Sequence, residues 1–365
     1  MTASQYPHAM LPRANQDELA RQLFTKTMRE YCTGQLQPGN AVVYERIVKP
    51  HHPRTRGEVR RAMERMPYHQ MWSALMRTTQ ELLWESVQDS VGRQIGNLVE
   101  KATVKPRERG SLKLDANMKV PRYITGVDFH CMPGNYHTDY VSGDVYQGAL
   151  YDRGAYLYSM GTRGPLHDGN GHSIVAYVGE HYPSLRPRKI LDMGCSVGAS
   201  TLPLCDAFPE AEVHAIDVGA PLLRYGHARA ESLERAVHFS QQIAEHTSFE
   251  DETFDLIFSF FLMHETSSKA LHGYIRESHR LLKPGGLALH MDFPHNANKT
   301  PFEQYMVDWN THNNAEPFIS TLGDIDLAVV AAEAGFARDD VIVRPHPAYR
   351  EGGAPMYILD AQKQA

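Results

Sequence analysis

Between residues 188 and 293 short apolar runs alternate with amphipathic stretches. RKILDMG (188–194), AEVHAID (211–217), FDLIFSFFL (254–262) and LALHMDF (287–293) are brief, apolar and bounded by polar or turn residues, which reads as buried strands. The intervening stretches 199–209, 221–235 and 268–282 carry helical spacing; Pro209 ends the first, Pro221 sits in the first turn of the second, and KPGG (283–286) stops the third. Strand–helix alternation of this kind predicts an α/β fold with a doubly wound, mostly parallel sheet. The C-terminal part differs: a helix near 323–334 is followed by DDVIVRP (339–345) and APMYILDAQ (354–362), two strands close in sequence. They predict an antiparallel hairpin closing the sheet edge; the sheet expected has seven strands, these six and one not placed in the sequence.

The first hundred residues have another period. In 69–94, Trp72, Met76, Leu83 and Val87 recur at three-to-four spacing, flanked by Met71, Leu75 and Leu82. Asn15 with Glu18 three residues later forms a capping-box pattern at an earlier helix start. The region 105–170 is rich in Gly, Pro, Tyr, His and Asp and shows no clear period. Its aromatics argue for an ordered connector lying over a site. Two domains are therefore expected. Residues 1–150 form a helical region and connector that serves as lid, acceptor-pocket wall and dimer surface, and residues 151–365 form the ligand-binding α/β domain.

Composition narrows the class. The chain has 365 residues, 42% apolar and 22% charged, as in a globular protein. A formal net charge of −6 is the wrong sign for a nucleic-acid surface. The longest apolar run, 256–263, is far short of a membrane span, the N-terminus has no signal-peptide core, and four scattered cysteines fit a reducing cytoplasm. Neither a nucleic-acid nor a membrane partner is expected.

The chemistry begins at KILDMGCSVGAS (189–200). An acid at a strand end followed by two glycines lets backbone and helix N-terminus approach a ligand closely. Gly194 and Gly198 permit that approach, with small Ser196 between them. Asp217 ends the next strand nineteen residues after Gly198, where a carboxylate can accept ribose hydroxyls. The turn lacks the G-x-G-x-x-G of dinucleotide enzymes. It resembles instead the first motif of class I S-adenosylmethionine-dependent methyltransferases. SFEDETFDLIFSFFLMHE (248–265) and ESHRLLKPGGLALHMDF (277–293) resemble that family's later motifs, in the same order and in the style of its ubiquinone- and menaquinone-biosynthesis group.

The resemblance implies a Rossmann-like methyltransferase domain that binds S-adenosyl-L-methionine. Asp192, Gly194, Ser196 and Gly198 would lie under its methionine and ribose, Asp217 would take the ribose hydroxyls, and Val218 would lie against adenine. Gln242 and Ile243 stand where the family usually has an acid facing adenine. Phe260 would face the cofactor, with Phe261 beside it. Tyr158 and Tyr156 resemble an aromatic entry segment, Tyr158 toward the cofactor and Tyr156 toward the acceptor.

The acceptor expected is a small molecule, methylated by in-line displacement. A protein or RNA acceptor, or a binding protein that kept the fold without catalysis, are the alternatives. His264 and His137 are the catalytic candidates, His264 as base or as positioning residue. Asp139, Glu265 and Asp292 are expected to bind substrate, and His137, Asp139, Tyr156 and His264 to share one acceptor cavity. The segment 309–318 would complete the pocket. His130, His137, Asp139 and Tyr140 are candidates to line the acceptor pocket from the connector; their spacing is too irregular for a metal motif, so no metal is expected. A homodimer through the N-terminal helices is expected from the face carrying Trp72, Met76 and Leu83.

Overall fold

The computed structural model of the chain describes residues 4–103, 109–297, 299–347 and 356–364. Eight strands form one sheet: β1 (Ser111–Lys113), β2 (Lys189–Met193), β3 (Glu212–Asp217), β4 (His238–Gln241), β5 (Phe254–Phe260), β6 (Leu282–Asp292), β7 (Val341–His346) and β8 (Met356–Gln362). Their order is β1-β4-β3-β2-β5-β6-β8-β7. The pairs from β1 through β6 are parallel, while β8 is antiparallel to both β6 and β7. The α/β class and the closing hairpin are as the sequence predicts. The eighth strand is three-residue β1, which belongs to the connector and adds to the edge at β4. Ala354 and Pro355, at the start of the expected last strand, lie outside the described residues.

Alternation along each strand sends neighbouring side chains to opposite faces. Leu191, Met193, Ile257 and Leu359 pack on one side against α7 (Ser268–Leu281) and α9 (Leu327–Ala334). Ile190, Leu256, Phe258 and Ile358 pack on the other against α4 (Gly169–His181) and Leu204 of α5 (Leu202–Ala207). With helices on both faces, the strands are buried and read as near-continuous apolar runs.

The N-terminal region is helical. α1 (Gln16–Tyr31) starts with the expected Asn15–Glu18 capping box, and α2 (Pro67–Gly92) is the long amphipathic helix. The face carrying Trp72, Met76 and Leu83 is spent within the chain. All three are buried, and the Trp72 ring lies 4.8 Å from that of Trp309 of α8 (Pro301–Asn313), tilted by 49°. That face therefore offers no dimer seam. Farther along α2, Leu83, Trp84 and Val87 share a core with Ala149, Leu150 and Leu157 of α3 (Tyr146–Tyr158) and with Leu222 and Tyr225 of α6 (Ala220–Ser232).

The connector is more regular than its sequence suggests, because α3 runs through it. α3 escapes a periodicity reading because it is buried nearly all round. Gly148 and Gly154 let it approach its neighbours; a Cβ there would overlap Tyr225 and Trp84 respectively. The expected domain break at 150/151 falls inside this helix, so no linker separates the two parts there. Asp152 of α3 fastens the assembly. It accepts from Gln5 Nε2 (3.1 Å) and Tyr225 OH (2.8 Å) and lies 3.0 Å from His8 Nε2 and 3.4 Å from Arg229 Nε. Burial opposes its charge, but Arg229 and His8 outweigh it and hold the carboxyl well below the usual range. Among the described residues no helix is long and apolar enough to cross a membrane.

Candidate active site

β2, β3 and β5 end on the same side of the sheet, and a cavity of about 140 Å³ lies beyond their carboxyl ends. This is where ligands bind in open α/β sheets. Gly194, Ser196, Ile216, Asp217, Val218, Phe260, Phe261 and Leu262 line its floor. The turn after β2 is held in left-handed conformations, with φ of +77° at Gly194, +51° at Ser196 and +72° at Gly198. Asp217 fixes it from the next strand: Oδ2 accepts from Ser196 N–H at 2.9 Å and Oδ1 from Gly219 N–H at 2.8 Å. Burial pushes the Asp217 carboxyl upward, and the backbone donors at Gly219 and Ser196 pull against it.

The remaining walls come from elsewhere in the chain. Trp84 of α2, Tyr123, Ile124, His130 and Tyr136 of the connector, Tyr151, Ala155 and Tyr158 of α3, Arg163, Phe293 and Glu316 complete the lining. On a helix, positions i, i+4 and i+7 share a face, so Tyr151, Ala155 and Tyr158 all look inward. Tyr156 is turned away, buried beside Arg153, whose guanidinium lies 5.6 Å from the ring centre. Arg163 stands 4.7 Å over the Phe261 ring.

Several expectations are corrected here. His137 does not line the cavity, and Asp139 is exposed and pairs with Arg224 at 2.7 Å. With Tyr156 also outside, His264 alone of the four expected to share the cavity is there. Of the connector's candidates His130, His137, Asp139 and Tyr140, His130 lines the cavity, beside Tyr123 and Tyr136. Asp192 turns under the glycine turn, accepting from Thr201 Oγ1 at 2.6 Å, and reaches only a small adjoining pocket with Arg163, Gly194 and Ser196. Burial raises its carboxyl to about 7. Gly198 faces Phe239, where a Cβ would come within 2.9 Å, so its missing side chain serves packing beneath the turn. Ile243 lies outside the lining, whereas Gln242 and Ala244 are in it. Gln242 Oε1 accepts from Ser248 N–H at 2.6 Å.

The polar end of the cavity is a cluster that the sequence reading grasped only in part. A tight turn after β5 (Met263–Glu265) presents His264 and Glu265. The loop after α8 brings Glu316, within the segment expected to complete the pocket, and the connector brings His130. His264 Nδ1 lies 2.7 Å from Oδ1 of Asp292, which is fully buried behind it and does not reach the cavity. His130 Nε2 lies 2.8 Å from Glu265 Oε1, and Tyr136 OH donates to the same oxygen at 3.0 Å. Burial alone would lower His264, but Asp292, then Glu265 and Glu316, raise it to about 9. His130 is likewise raised, burial being outweighed by Glu316 and Glu265. Glu265 is lowered, since His130, His264 and Tyr136 overcome the cost of burying it. Asp292, Glu265 and Glu316 thus favour the protonated form of His264 in the protein alone. Of these groups His130 was among the connector candidates, whereas Glu316, Arg163, Tyr136 and Tyr151 were not singled out, because each comes from a segment whose place over the sheet carries no local pattern.

Residues 190–286 match the family described as Methyltransferase domain. The ubiquinone/menaquinone biosynthesis C-methyltransferase UbiE of Bartonella quintana is 28% identical over 196 residues, covering 52% of this chain and 72% of that protein. The cypemycin N-terminal methyltransferase of a Streptomyces species is 35% identical over 122 residues, covering 32% of this chain and 46% of its own length. Among solved structures, phosphoethanolamine N-methyltransferase 2 of Haemonchus contortus, in complex with phosphomonomethylethanolamine and S-adenosylhomocysteine, is similar. The TM-score is 0.43 at 18% identity, covering 59% of this chain and 58% of that one. Residues 1–100, which supply α1 and α2, lie outside the matched family region. The glycine turn, the acid at the end of β3, the cavity beyond the strands and the matched residues 190–286 agree: the chain carries an S-adenosylmethionine-dependent methyltransferase domain of class I.

Proposed function

We propose that the enzyme methylates a small molecule held in the cavity between the glycine turn and the His130–His264–Glu265–Glu316 cluster. The observation that carries this reading is the composition of that cavity. Its floor is the cofactor-type turn, its walls are aromatic, and its far end is polar and buried, the mixture expected of a small-molecule site. Residues of α2 and the connector stand across it, where a polymer would need an open groove. The net charge of −6 also disfavours RNA.

In this reading Asp217 accepts the ribose hydroxyls, Val218 and Gln242 border adenine, and Gly194 and Ser196 support the methionine part. Arg163 faces the cofactor's carboxylate from the connector side, and Phe260 and Tyr158 bracket the sulfonium. The acceptor lies toward His264 and Glu265, its reacting atom roughly 3–3.5 Å from the methyl carbon and in line with the sulfur. The attacking electron pair forms the new bond to the methyl carbon, and the carbon–sulfur pair stays on sulfur as S-adenosylhomocysteine leaves. His264, held by Asp292, positions the acceptor. Residues 1–150 act as lid and pocket wall over the 151–365 domain, and four free cysteines fit a cytoplasmic setting.

A homodimer through the N-terminal helices belongs to the same proposal. Its support is the outer row of α1, where Leu19, Leu23, Phe24 and Tyr31 are 40–64% exposed. The second reading, a peptide acceptor, is favoured only by the name of the cypemycin N-terminal methyltransferase. The deciding experiment supplies labelled S-adenosylmethionine to the protein in a cell extract. Label in the small-molecule fraction supports the proposal, and label confined to protein or RNA refutes it.

A further inference from the structure

We propose that His130, His264, Glu265 and Glu316 bind one divalent first-row transition-metal ion at the polar end of the cavity. One ligand atom from each lies within 4.8 Å of the others. Four ligand atoms around 2.0–2.2 Å from one tetrahedral ion stand about 3.3–3.6 Å apart, so the widest separation in the cluster would close by up to about 1.5 Å. Two imidazoles with two carboxylates suit manganese, iron, cobalt, nickel or zinc, and the carboxylates balance the ion's charge.

Three further observations point to a cation. First, Glu265 Oε2 and Glu316 Oε2 are buried and make no hydrogen bond, and Glu316 is only 3% exposed. Buried carboxylate oxygens left without partners are costly. His130 Nδ1 lies 2.5 Å from Glu316 Oε1 yet is not aligned to share a proton with it. Second, His264 Nε2 stands 3.6 Å from Glu265 Oε1 and 3.7 Å from Glu316 Oε2. Those separations are too long for hydrogen bonds but close to the roughly 3.3 Å between neighbouring ligand atoms of one tetrahedral ion.

Third, the ligands are braced from behind. Asp292 takes the Nδ1 side of His264 and leaves Nε2 toward the cluster, the carboxylate–histidine arrangement that orients metal-bound imidazoles. His130 has a left-handed backbone, φ +54°, and its carbonyl accepts from both Gln80 Nε2 (2.6 Å) and Trp84 Nε1 (2.7 Å) of α2. Such a conformation persists only when its surroundings impose it. No sequence spacing reveals the set, because its members come from the connector, the turn after β5 and the loop after α8.

His130, His264, Glu265 and Glu316 all line the cavity, so the ion keeps a side open to it. Resting on the small-molecule reading above, this selects an acceptor whose oxygen can bind the metal. The test uses the full-length protein, stripped with chelator and reloaded with manganese, iron(II), cobalt, nickel or zinc in turn. Bound metal is counted by elemental analysis after gel filtration, with S-adenosylmethionine affinity as the check of fold. We expect one ion per chain for at least one metal. Binding should be lost in Glu316→Gln and in His130→Ala and weakened about 10–100-fold in Asp292→Asn. No stoichiometric metal in wild type, or metal retained by both ligand variants, overturns the proposal, provided cofactor affinity is intact. Because metal is counted without any acceptor, the site and the small-molecule reading can fail separately.

Discussion

At the scale of single residues, Asp217 makes the sharpest claim. Its two oxygens each take one backbone donor and retain lone pairs toward the cavity. In the proposed reading two charge-assisted bonds to ribose, each worth about 1.5–3 kcal/mol, would go with it. Asp217→Ala should therefore weaken S-adenosylmethionine binding by tens-fold or more in calorimetry, and unchanged affinity in a folded variant would remove the ribose assignment. Gly194→Val should do worse. A Cβ there would stand 2.8 Å from Leu262, and φ of +77° excludes a branched residue. On the acceptor side, His264→Ala should cut turnover far more than cofactor affinity, measured as a fall in kcat with little change in cofactor Kd. Asp217, Ser196 and His264 were legible because strand ends and their turns have local signatures. Arg163 and Glu316 were not, since nothing near them in sequence says that they meet His130 over the sheet. His137, Asp139 and Tyr156 were plausible by composition and misplaced by geometry, Tyr156 because two helical residues cannot separate it from Tyr158 and share its face.

At the scale of elements, the strands and the helices between them were readable because burial on both faces writes itself as apolar runs. α3 was not, because a helix buried on nearly every side has no polar stripe to mark its period. It is also the element that joins the two parts. Asp152 on α3 is 1% exposed and meets Arg229, His8, Tyr225 and Gln5. Removing it leaves a buried guanidinium short of its counter-charge, and breaking a buried pair this way costs about 3–5 kcal/mol. Asp152→Ala should lower the thermal midpoint by many degrees; a shift within a degree or two would show that α3 is not the fastening. The α1 row is tested by sedimentation: Phe24→Asp should convert a dimer to monomer, and a monomeric wild type at micromolar concentration would dismiss the dimer.

At the scale of the whole molecule, the many histidines set a pH response. His167 and His290 are fully desolvated and lowered to about 3. The unfolded chain takes up protons near pH 6.5 while these folded rings stay neutral, so stability is lost as pH falls from about 6.5 toward 3. Each contributes a slope of about 1 kcal/mol per pH unit in that window. Asp192, raised to about 7, opposes one of them, since its stabilisation fades as pH rises from about 4 through 7. His264 and His130, held above their ordinary value, add stability as pH falls only down to about 6.5, so below that two lowered histidines against one raised aspartate leave net destabilisation in acid. Denaturant titrations at pH 6.5, 5.5 and 5 should show a falling unfolding free energy, and a rise toward pH 5 would contradict the balance.

The central claim is methyl transfer to a small molecule in one cavity, and methyl-labelled S-adenosylmethionine in a metabolite extract tests it most directly. We predict label in a low-molecular-weight product, together with equimolar S-adenosylhomocysteine, for wild type but not for Asp217→Ala. Label found only in macromolecules, or S-adenosylhomocysteine formation that Asp217→Ala leaves untouched, would contradict it.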